Sequence, residues 1–542
     1  MRERPESLRA SLLLTNGRVL TMAGATTQAL AVLGDRVLAT GDDRDLLHLR
    51  GPKTTVLDLG GRLAMPGFTD SHVHLRALGH VLTRVDLSSA RTLSAALKLV
   101  AARARRTPPG EWITGGGFDK NRWGDDFPDR ADLDQAAPEN PVALHTRDGH
   151  SVWVNSLALQ RCGISRETET PEGGVIARDA TGEPTGILQE RATSLIYACP
   201  DLQGRGAGDR ELLTGLRSLL RQGVTSVHAM EESETFTGLQ QLREAGRLPL
   251  RVTLYRPLGS LDDMVASGIR SGFGDEWLRI GGVKMLVDGS LGSQTAWMFQ
   301  PYEHVSQSAN SYGVAVLHGE ELRAAVRQAA AGGLACAIHA IGDRANAEAL
   351  DALEEVRDAE FALPHRIEHA QLLRPADIPR FARLKVVASM QPCHILGDID
   401  PAERYWGARG RWAYPIRSLL RVGASVIFGS DAPVETADPM AGIYAAVRRQ
   451  TLDGRPENGW RREEEGISRL AALRAYTAWP AKATGEAKLK GALAPGRLAD
   501  IVVLSENILR VRPHRLFAPR VDLVIVGGQV KHRRPGALSP SS

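Results

Sequence analysis

The chain has 542 residues, of which 43% are hydrophobic and 24% are charged, and its formal net charge is only +4. These values are typical of a globular protein with a large core, and the sequence shows neither a basic run nor a basic helix with interleaved aromatic residues that would indicate a nucleic-acid partner. It also lacks an apolar run near the roughly 18 residues that span a membrane and a sustained signal-peptide core, so a cytoplasmic protein without a membrane partner is predicted.

Both ends of the chain have the pattern of short strands. Residues 1–65 alternate strand-like runs with turns, as in SLLLTNGRVLTMAG, and residues 490–535 do the same in ADIVVL and VDLVIVGG. Such runs between turn residues are typical of small β-sheet units. The sequence therefore predicts that segments 1–65 and 490–535 build one accessory β domain together, followed by a disordered tail at 536–542.

The region between them, residues 66–489, alternates apolar strand-like runs with amphipathic helical segments, which is the pattern of a parallel α/β fold. Eight strand candidates can be counted: MPGFTDSHVH, GVTSVHAM, RVTLYRP, IGGVKMLVDGS, LACAIHAIGD, HRIEHAQ, VVASMQPCH and SVIFGSDAPV. Eight strand–helix units predict a TIM barrel. The run RVTLYRP is the weakest of the eight, because a doubly wound sheet could use most of the same strands.

One long excursion interrupts the series after the first barrel strand, at about residues 107–205. It contains strand-like and helix-like runs and is therefore too structured for a linker. We interpret it as an insertion that covers the mouth of the barrel, since loops that follow barrel strands lie at the catalytic face.

Five polar residues stand at the ends of predicted barrel strands. His72 and His74 are two apart, so their side chains point to the same side of the first strand. On its own this pair fits two surface or core histidines equally well, but His339, His369 and Asp431 each close another apolar run. The carboxyl ends of barrel strands form one ring, and a set of imidazole and carboxylate ligands is suited to zinc or a similar divalent ion.

Lys284 lies inside the apolar run IGGVKMLVDGS, in a chain with only nine lysines. Burial disfavours the ammonium form, and a neutral amine can react with carbon dioxide to give a carbamate with two oxygens able to bridge two metal ions. The alternative is a lysine that extends to solvent or pairs with Asp288. Spacing alone does not separate these two interpretations.

The order HxH, Lys, His, His, Asp along successive strands resembles the amidohydrolase superfamily. The strings GFTDSHVHL, DGHSVWVNSLAL, GGVKMLVDGSLGS, AIHAIGDRAN, RIEHAQLL, SMQPCH and GSDAPV are similar to its family 3 branch, which includes N-substituted formamide deformylases. The resemblance covers nearly the whole chain. It implies a distorted TIM (β/α)8 barrel with a composite β-sandwich formed by the N- and C-terminal segments.

The resemblance also implies a ligand set and cofactors. It implies two zinc ions per chain, joined by a hydroxide and by a lysine carbamate formed with carbon dioxide; some members of the superfamily hold a single metal, which is the alternative. The matched positions are His72, His74 and Asp431 for one metal, His339 and His369 for the second, and a carboxylated Lys284 between them.

The expected chemistry follows from charge. A bound divalent ion brings the pKa of water from 15.7 to near 7, and the resulting hydroxide attacks a carbonyl whose oxyanion the metal stabilises. Asp431 would take the proton and deliver it to the departing nitrogen. The prediction is hydrolysis of a C–N bond in an amide, N-substituted formamide or N-acyl compound. The alternatives are an ester, lactone or phosphotriester hydrolase, an isomerase or decarboxylase, and a binding protein on a decayed barrel.

Further residues are candidates for contact with a small-molecule substrate. His394 in QPCH would steady the oxyanion or touch the substrate, and His150 with Trp153 would roof the pocket, although a structural role in the insertion fits both equally well. Asp288 is placed beside Lys284, where it shapes the loop or binds substrate. His228 is interpreted as a hydrogen-bonded histidine of the barrel. A homodimer is kept as one option for assembly.

Overall fold

In the computed structural model of the protein, the described residues are 8–118, 123, 127–146, 151–172, 174–199, 202, 207–304, 311–360 and 362–538. The chain divides into two compact units, Met1–Leu75 with Leu216–Ser542, and Arg76–Gly215. Among the helices of these described ranges, none is both long and apolar enough to cross a membrane.

The strands, in chain order, are β1 (Leu12–Thr15), β2 (Arg18–Leu20), β3 (Thr26–Thr27), β4 (Ala29–Leu33), β5 (Arg36–Gly41), β6 (Thr55–Asp58), β7 (Leu63–Pro66), β8 (Phe68–Val73), β9 (Val85–Asp86), β10 (Ile113–Phe118), β11 (Val142–Thr146), β12 (Ser151–Val154), β13 (Gly174–Arg178), β14 (Pro184–Glu190), β15 (Val224–Met230), β16 (Arg251–Pro257), β17 (Leu278–Leu286), β18 (Ala335–Ala340), β19 (Arg366–His369), β20 (Val387–Met390), β21 (Ser425–Phe428), β22 (Ile501–Leu504), β23 (Val521–Val526) and β24 (Gln529–Arg533).

The α-helices are α1 (Asp43–Leu46), α2 (Leu75–Thr83), α3 (Leu93–Ala104), α4 (Arg130–Ala136), α5 (Ser156–Arg161), α6 (Ser194–Tyr197), α7 (Ala207–Arg221), α8 (Ser233–Glu244), α9 (Leu261–Ala266), α10 (Gly319–Ala331), α11 (Asp343–Glu355), α12 (Ile378–Arg383), α13 (Ile395–Trp406), α14 (Ile416–Arg421), α15 (Pro439–Arg448), α16 (Arg462–Glu465), α17 (Arg469–Ala475) and α18 (Ala478–Ala483).

Eight parallel strands form the barrel of the first unit, in the order β8, β15, β16, β17, β18, β19, β20, β21. Seven of them lie within predicted runs, including RVTLYRP, which forms β16, and β17 begins two residues before the run IGGVKMLVDGS. A parallel bridge between Val73 and Ala432 joins the first strand to the segment after the last one and closes the sheet. The predicted TIM barrel is therefore confirmed.

Helices separate most of the barrel strands because the connecting segments carry apolar stripes at helical spacing. In α11, for example, the buried residues include Ala345, Ala349, Leu350 and Leu353, which recur three or four positions apart. Strand β19 is short and buried along its whole length. Its buried backbone groups pair with β18 and β20, as parallel strands inside a barrel require.

Strands from both ends of the chain are neighbours in one sheet. A four-stranded sheet has the order β5, β4, β1, β6, and a six-stranded sheet has the order β24, β23, β22, β7, β2, β3. In the second sheet the C-terminal strand β22 pairs with the N-terminal strand β7. One hydrophobic cluster takes side chains from both sheets, for example Leu14 and Leu30 from the first and Ile501 and Leu523 from the second. The two sheets therefore pack as layers around a shared core.

The predicted tail begins at residue 536. Ala537 and Leu538 are buried, and Leu538 belongs to the hydrophobic cluster between the terminal sheets. Burial of the apolar Leu538 side chain in that cluster is more favourable than its exposure to solvent. The polar composition of the tail did not indicate this contact. Residues 539–542 lie outside the described part of the chain.

The second unit, Arg76–Gly215, has its own sheet and core. Its six strands have the order β13, β14, β12, β11, β10, β9. The core includes Phe118, Leu133, Leu144, Trp153 and Ile187. This unit contains the predicted insertion at about 107–205, and the placement of that insertion over the barrel mouth stays a prediction.

Candidate metal centre

Three of the predicted ligands lie together where the barrel closes. His72 is in β8, His74 follows that strand, and Asp431 lies in the turn after β21. Oδ1 of Asp431 is 3.4 Å from Nε2 of His72 and 3.3 Å from Nε2 of His74. One ligand atom from each residue lies within 4.8 Å of the others, so the three side chains can converge on one ion.

Two further histidines continue this group around the strand ends. The ring centroids of His72 and His369 are 5.0 Å apart, and those of His369 and His339 are 4.5 Å apart. His339 lies near the end of β18 and His369 is the last residue of β19. The structure thus brings the four predicted histidines and Asp431 to one end of the barrel.

The donor set fits a divalent ion because protein oxygens already engage the other ring nitrogen of three histidines. Nδ1 of His72 lies 2.6 Å from Oε2 of Glu368, and Nδ1 of His74 lies 3.3 Å from the carbonyl oxygen of Met230. In His339 the engaged atom is Nε2, which lies 3.0 Å from the carbonyl oxygen of Gly289. A neutral ring that donates its proton to such an oxygen has a lone pair on its other nitrogen, which is the arrangement of metal-ligating histidines.

Burial keeps two of these histidines neutral. It lowers the pKa of His72 to about 4, with a further contribution from the positive charge of Lys284. Burial also lowers the pKa of His369 well below its usual range, and the neighbouring His339 adds to the effect. Neutral imidazole is the form that binds a metal, so these two histidines need not lose a proton when a cation binds.

Lys284 lies near the end of β17, in the strand beside that of His339. Burial lowers the pKa of its ammonium group to about 8, although the charges of Glu368 and Asp431 act in the opposite direction. A larger share of the side chain is therefore a neutral, nucleophilic amine at neutral pH than in a solvated lysine. This is the form that reacts with carbon dioxide.

Asp431 is held as a carboxylate. Burial by itself would raise its pKa, but the adjacent imidazoles of His394 and His74 lower it well below its usual range, and His72 and His369 act in the same direction. Nε2 of His394 lies 3.5 Å from Oδ2 of Asp431. The predicted catalytic residues Asp431 and His394 are thus in contact.

Backbone strain is concentrated at the same residues. His369, Ala370 and Asp431 have φ angles of 72°, 44° and 61°, in the left-handed region that non-glycine residues rarely adopt. Such a conformation costs about 1–3 kcal/mol at each position and persists only where surrounding contacts support it. Here it turns the backbone sharply at the two positions from which His369 and Asp431 project.

Asp288 is fully buried, and its carboxylate accepts hydrogen bonds from three backbone N–H groups. The donors are Trp297 at 2.9 Å, Ile341 at 3.0 Å and Gly342 at 2.8 Å, and Nε2 of His339 lies 3.4 Å away. These contacts join the loops after β17 and β18. They favour the loop-shaping role over the substrate-binding role that the sequence also allowed.

Trp153 lies in the core of the second unit. Its indole is fully buried, packs against Phe118 and Trp123, and donates a hydrogen bond of 3.0 Å to the carbonyl oxygen of Asp129. These contacts are typical of a core residue, the structural alternative named above, and contact of Trp153 with a substrate stays a prediction. His150 lies outside the described residues.

Glu368 is the partner of His72 that sequence reasoning missed, and Arg366 and Asp70 are two further buried residues for which the sequence predicted no role. Asp70 is fully buried and accepts two hydrogen bonds from Ser430. The backbone nitrogen of Ser430 lies 2.9 Å from Oδ1 of Asp70, and its Oγ lies 2.5 Å from Oδ2. Burial raises the pKa of Asp70 to about 6. A signal was present: Arg366 and Glu368 are charged and alternate with an apolar residue inside a buried barrel strand, so both point to the interior.

Comparison with known proteins gives matches along almost the whole chain. The sequence model of the amidohydrolase family matches residues 55–532. An Arabidopsis thaliana relative, Protein LONG AFTER FAR-RED 3, is 34% identical over 529 residues, which cover 93% of this chain and 88% of that protein. N-substituted formamide deformylase from Arthrobacter pascens is 30% identical over 550 residues, which cover 97% and 99% of the two chains.

A solved structure agrees with these sequence matches. The crystal structure of an uncharacterized metal-dependent hydrolase from Pyrococcus furiosus superimposes with a TM-score of 0.71 at 31% identity. The superposition covers 92% of this chain and all of that one.

Proposed function

The chain belongs to the amidohydrolase family and is a metal-dependent hydrolase, and from this premise we propose that it hydrolyses a C–N bond in an amide, N-substituted formamide or N-acyl compound. The observation that carries the proposal is the position of the ionised Asp431 carboxylate, between the imidazoles of His72 and His74 on one side and of His394 on the other. An amine is a poor leaving group, and hydrolysis of an amide therefore needs a group that protonates the nitrogen as it departs.

We assign the five clustered ligands to two zinc ions, to which a carboxylated Lys284 would contribute its oxygens. His72, His74 and Asp431 would hold one ion, and His339 and His369 the other. When bound, a divalent ion provides a nucleophilic water near neutral pH and polarises the substrate carbonyl. The support is the set of neutral imidazoles and the amine of lowered pKa at one end of the barrel.

Asp431 would take a proton from the attacking water and then return it to the departing nitrogen. Its pKa lies well below the usual range of a carboxyl group, so the carboxylate is ionised at neutral pH and has an oxygen free to accept that proton. Oδ1 faces His72 and His74, whereas Oδ2 faces His394. One carboxylate can thus serve as metal ligand through one oxygen and as proton carrier through the other.

His394 would contact the reacting group from the opposite side. Asp431 raises the pKa of its imidazole, against the effect of burial. A protonated ring that shares its proton with Asp431 can donate a hydrogen bond to the oxyanion of the tetrahedral intermediate. The relative from Arthrobacter pascens, a formamide deformylase by name, supports the choice of substrate class.

The test uses the full chain with its metal content measured, screened against N-formyl compounds, N-acyl amino acids, cyclic amides and activated esters. Hydrolysis of members of the first three groups is expected. The variant Asp431→Asn should lose amide hydrolysis and keep part of its activity on activated esters, whose leaving groups need no proton.

The control is Asp377→Asn, because Asp377 is a buried carboxylate at the start of α12 that pairs with Arg374 and Arg380. This variant should keep both activities. Hydrolysis confined to esters or phosphotriesters, or a product formed without uptake of water, would instead assign the chain to one of the alternative reactions.

A further inference from the structure

A buried ion pair lies inside the barrel, on the strand that ends at His369. Arg366 and Glu368 are two apart in β19 and are 2% and 0% exposed. Nη2 of Arg366 lies 3.0 Å from Oε2 of Glu368, and Nε forms an ion pair with Oε1. Two nitrogens of the guanidinium thus face the two oxygens of the carboxylate, one of them in a charge-assisted hydrogen bond.

Arg366 joins four other barrel strands to this pair. Its Nη2 lies 2.5 Å from the carbonyl oxygen of Ser71 in β8 and 2.5 Å from Oγ of Ser389 in β20. Its Nη1 donates to Nδ1 of His228 in β15 at 3.0 Å and lies 3.4 Å from the hydroxyl of Tyr255 in β16. The guanidinium is thus fixed from several directions.

Glu368 connects this assembly to the metal centre. The oxygen that accepts from Arg366 Nη2, Oε2, also lies 2.6 Å from Nδ1 of His72. The carboxylate thus lies between the guanidinium of Arg366 and the imidazole of His72. The carboxylate can only accept, so the imidazole must carry its proton on Nδ1 and present a lone pair on Nε2.

A pair of this kind needs an explanation because the interior of a TIM barrel is usually filled by branched apolar side chains. Withdrawing two charges from water is costly, and apolar residues of similar volume often stabilise a protein at least as well as a buried pair. The other contacts of Arg366 hold the guanidinium in place, but they do not require that Glu368 face His72. An apolar core could not provide a carboxylate that faces Nδ1 of His72, as Glu368 does.

We propose that the Arg366–Glu368 pair is a positioning device that fixes the tautomer and the ring orientation of His72, so that the affinity of the centre for its metal depends on Glu368. The inference rests on the proposed role of His72 as a ligand and is independent of the substrate class. Glu368 acts through His72 and is therefore a positioning residue.

The test compares Glu368→Gln with the wild-type protein after metal removal, by titration with Zn²⁺ against a chromophoric chelator. A neutral amide holds the imidazole proton less strongly and loses the ion pair with Arg366. The affinity for Zn²⁺ should fall about 10- to 100-fold, the usual effect of removing such a partner. In the Co²⁺-loaded proteins, the visible absorption bands of the metal should also change, because a turned His72 alters the coordination geometry.

Glu486→Gln is a matched control. Glu486 is 1% exposed and pairs with Lys490 at 3.0 Å and with Arg279 at 3.2 Å. Its cluster includes Ser226, near the amino end of β15, at the opposite end of the barrel from the histidines. This variant loses a buried carboxylate of the same kind but should bind Zn²⁺ as the wild-type protein does and keep the Co²⁺ spectrum.

Three outcomes decide the matter. Wild-type affinity and an unchanged Co²⁺ spectrum in Glu368→Gln would overturn the positioning role, whatever happens to stability. A wild-type protein that takes up no Zn²⁺ would instead overturn the proposed metal role of His72. If Glu368→Gln does not fold, Glu368→Asp serves, since it keeps the charge but withdraws the carboxylate by about 1.5 Å; weaker Zn²⁺ binding supports the proposal and unchanged binding refutes it.

Discussion

Replacing Lys284 with methionine should stabilise the metal-free protein while it weakens metal binding. Lys284 is kept in a buried barrel strand at a pKa of about 8 instead of 10.5, which means that folding disfavours its ammonium form. Methionine has a similar length and no charge, so Lys284→Met removes this unfavourable contribution together with the amine that would form the carbamate.

The magnitude follows from the pKa. One pKa unit corresponds to about 1.4 kcal/mol, and the change from 10.5 to about 8 therefore amounts to at most about 3.5 kcal/mol. Lys284 keeps some contact with solvent, so a gain of about 2 kcal/mol in the free energy of unfolding is expected at pH 7. Because the unfolded chain binds the proton more tightly, wild-type stability should rise relative to the variant between pH 8 and pH 10.5.

The assay is urea unfolding of both proteins after chelation, at pH 7 and pH 10, together with the zinc content of the reloaded proteins. The stability advantage of Lys284→Met should be large at pH 7 and small at pH 10, and its zinc content should be lower than that of the wild-type protein. A variant that is less stable than the wild type at pH 7, or one that binds zinc equally well, would refute the reasoning.

Three further substitutions test the other predicted site residues. Asp288→Asn should lower the free energy of unfolding, measured in urea, by about 3 kcal/mol. The side-chain nitrogen of asparagine would face backbone N–H groups whose hydrogen bonds the carboxylate oxygen of Asp288 accepts. His394→Gln should lower kcat for amides about 100-fold with unchanged zinc content, if it donates to the oxyanion; equal losses of zinc would place it among the ligands instead. Trp153→Phe should lower the free energy of unfolding of the second unit by about 1 kcal/mol, since a buried hydrogen bond is lost. It should leave KM unchanged.

The barrel could be predicted from sequence because its strands are short apolar runs bounded by turn or helix signals. Such runs can be recognised from neighbouring residues alone. Because the connections between parallel strands are right-handed, eight such strands can be arranged in only a few topologies. The same logic placed His72, His339 and Asp431 near one another, since polar residues at the carboxyl ends of barrel strands share one rim. Neither step needed the contacts of individual side chains.

The roles of Trp153 and Asp288 could not be predicted in this way. An aromatic residue in a strand has the same sequence signal whether it lines a pocket or a core, and only packing against Phe118 and Trp123 separates the two for Trp153. Asp288 stands in a loop of glycines and serines that predicts a turn, but its function depends on N–H groups about fifty residues away. Contacts between residues so far apart in the sequence leave no pattern among the neighbours of either residue.

The closure of the barrel and the geometry of the metal centre depend on the same contacts. Asp431, whose φ is 61°, donates its N–H to the carbonyl oxygen of His72 at 2.7 Å, and His74 donates to Ala432 at 3.0 Å. Asp70 and Ser430 join the two strands one step earlier. The hydrogen bonds that close the sheet therefore also support the strained backbone that aims the Asp431 carboxylate between His72 and His74. Because these hydrogen bonds tie the segment after β21 to β8, they hold the turn where an unconnected sheet edge would leave it unsupported.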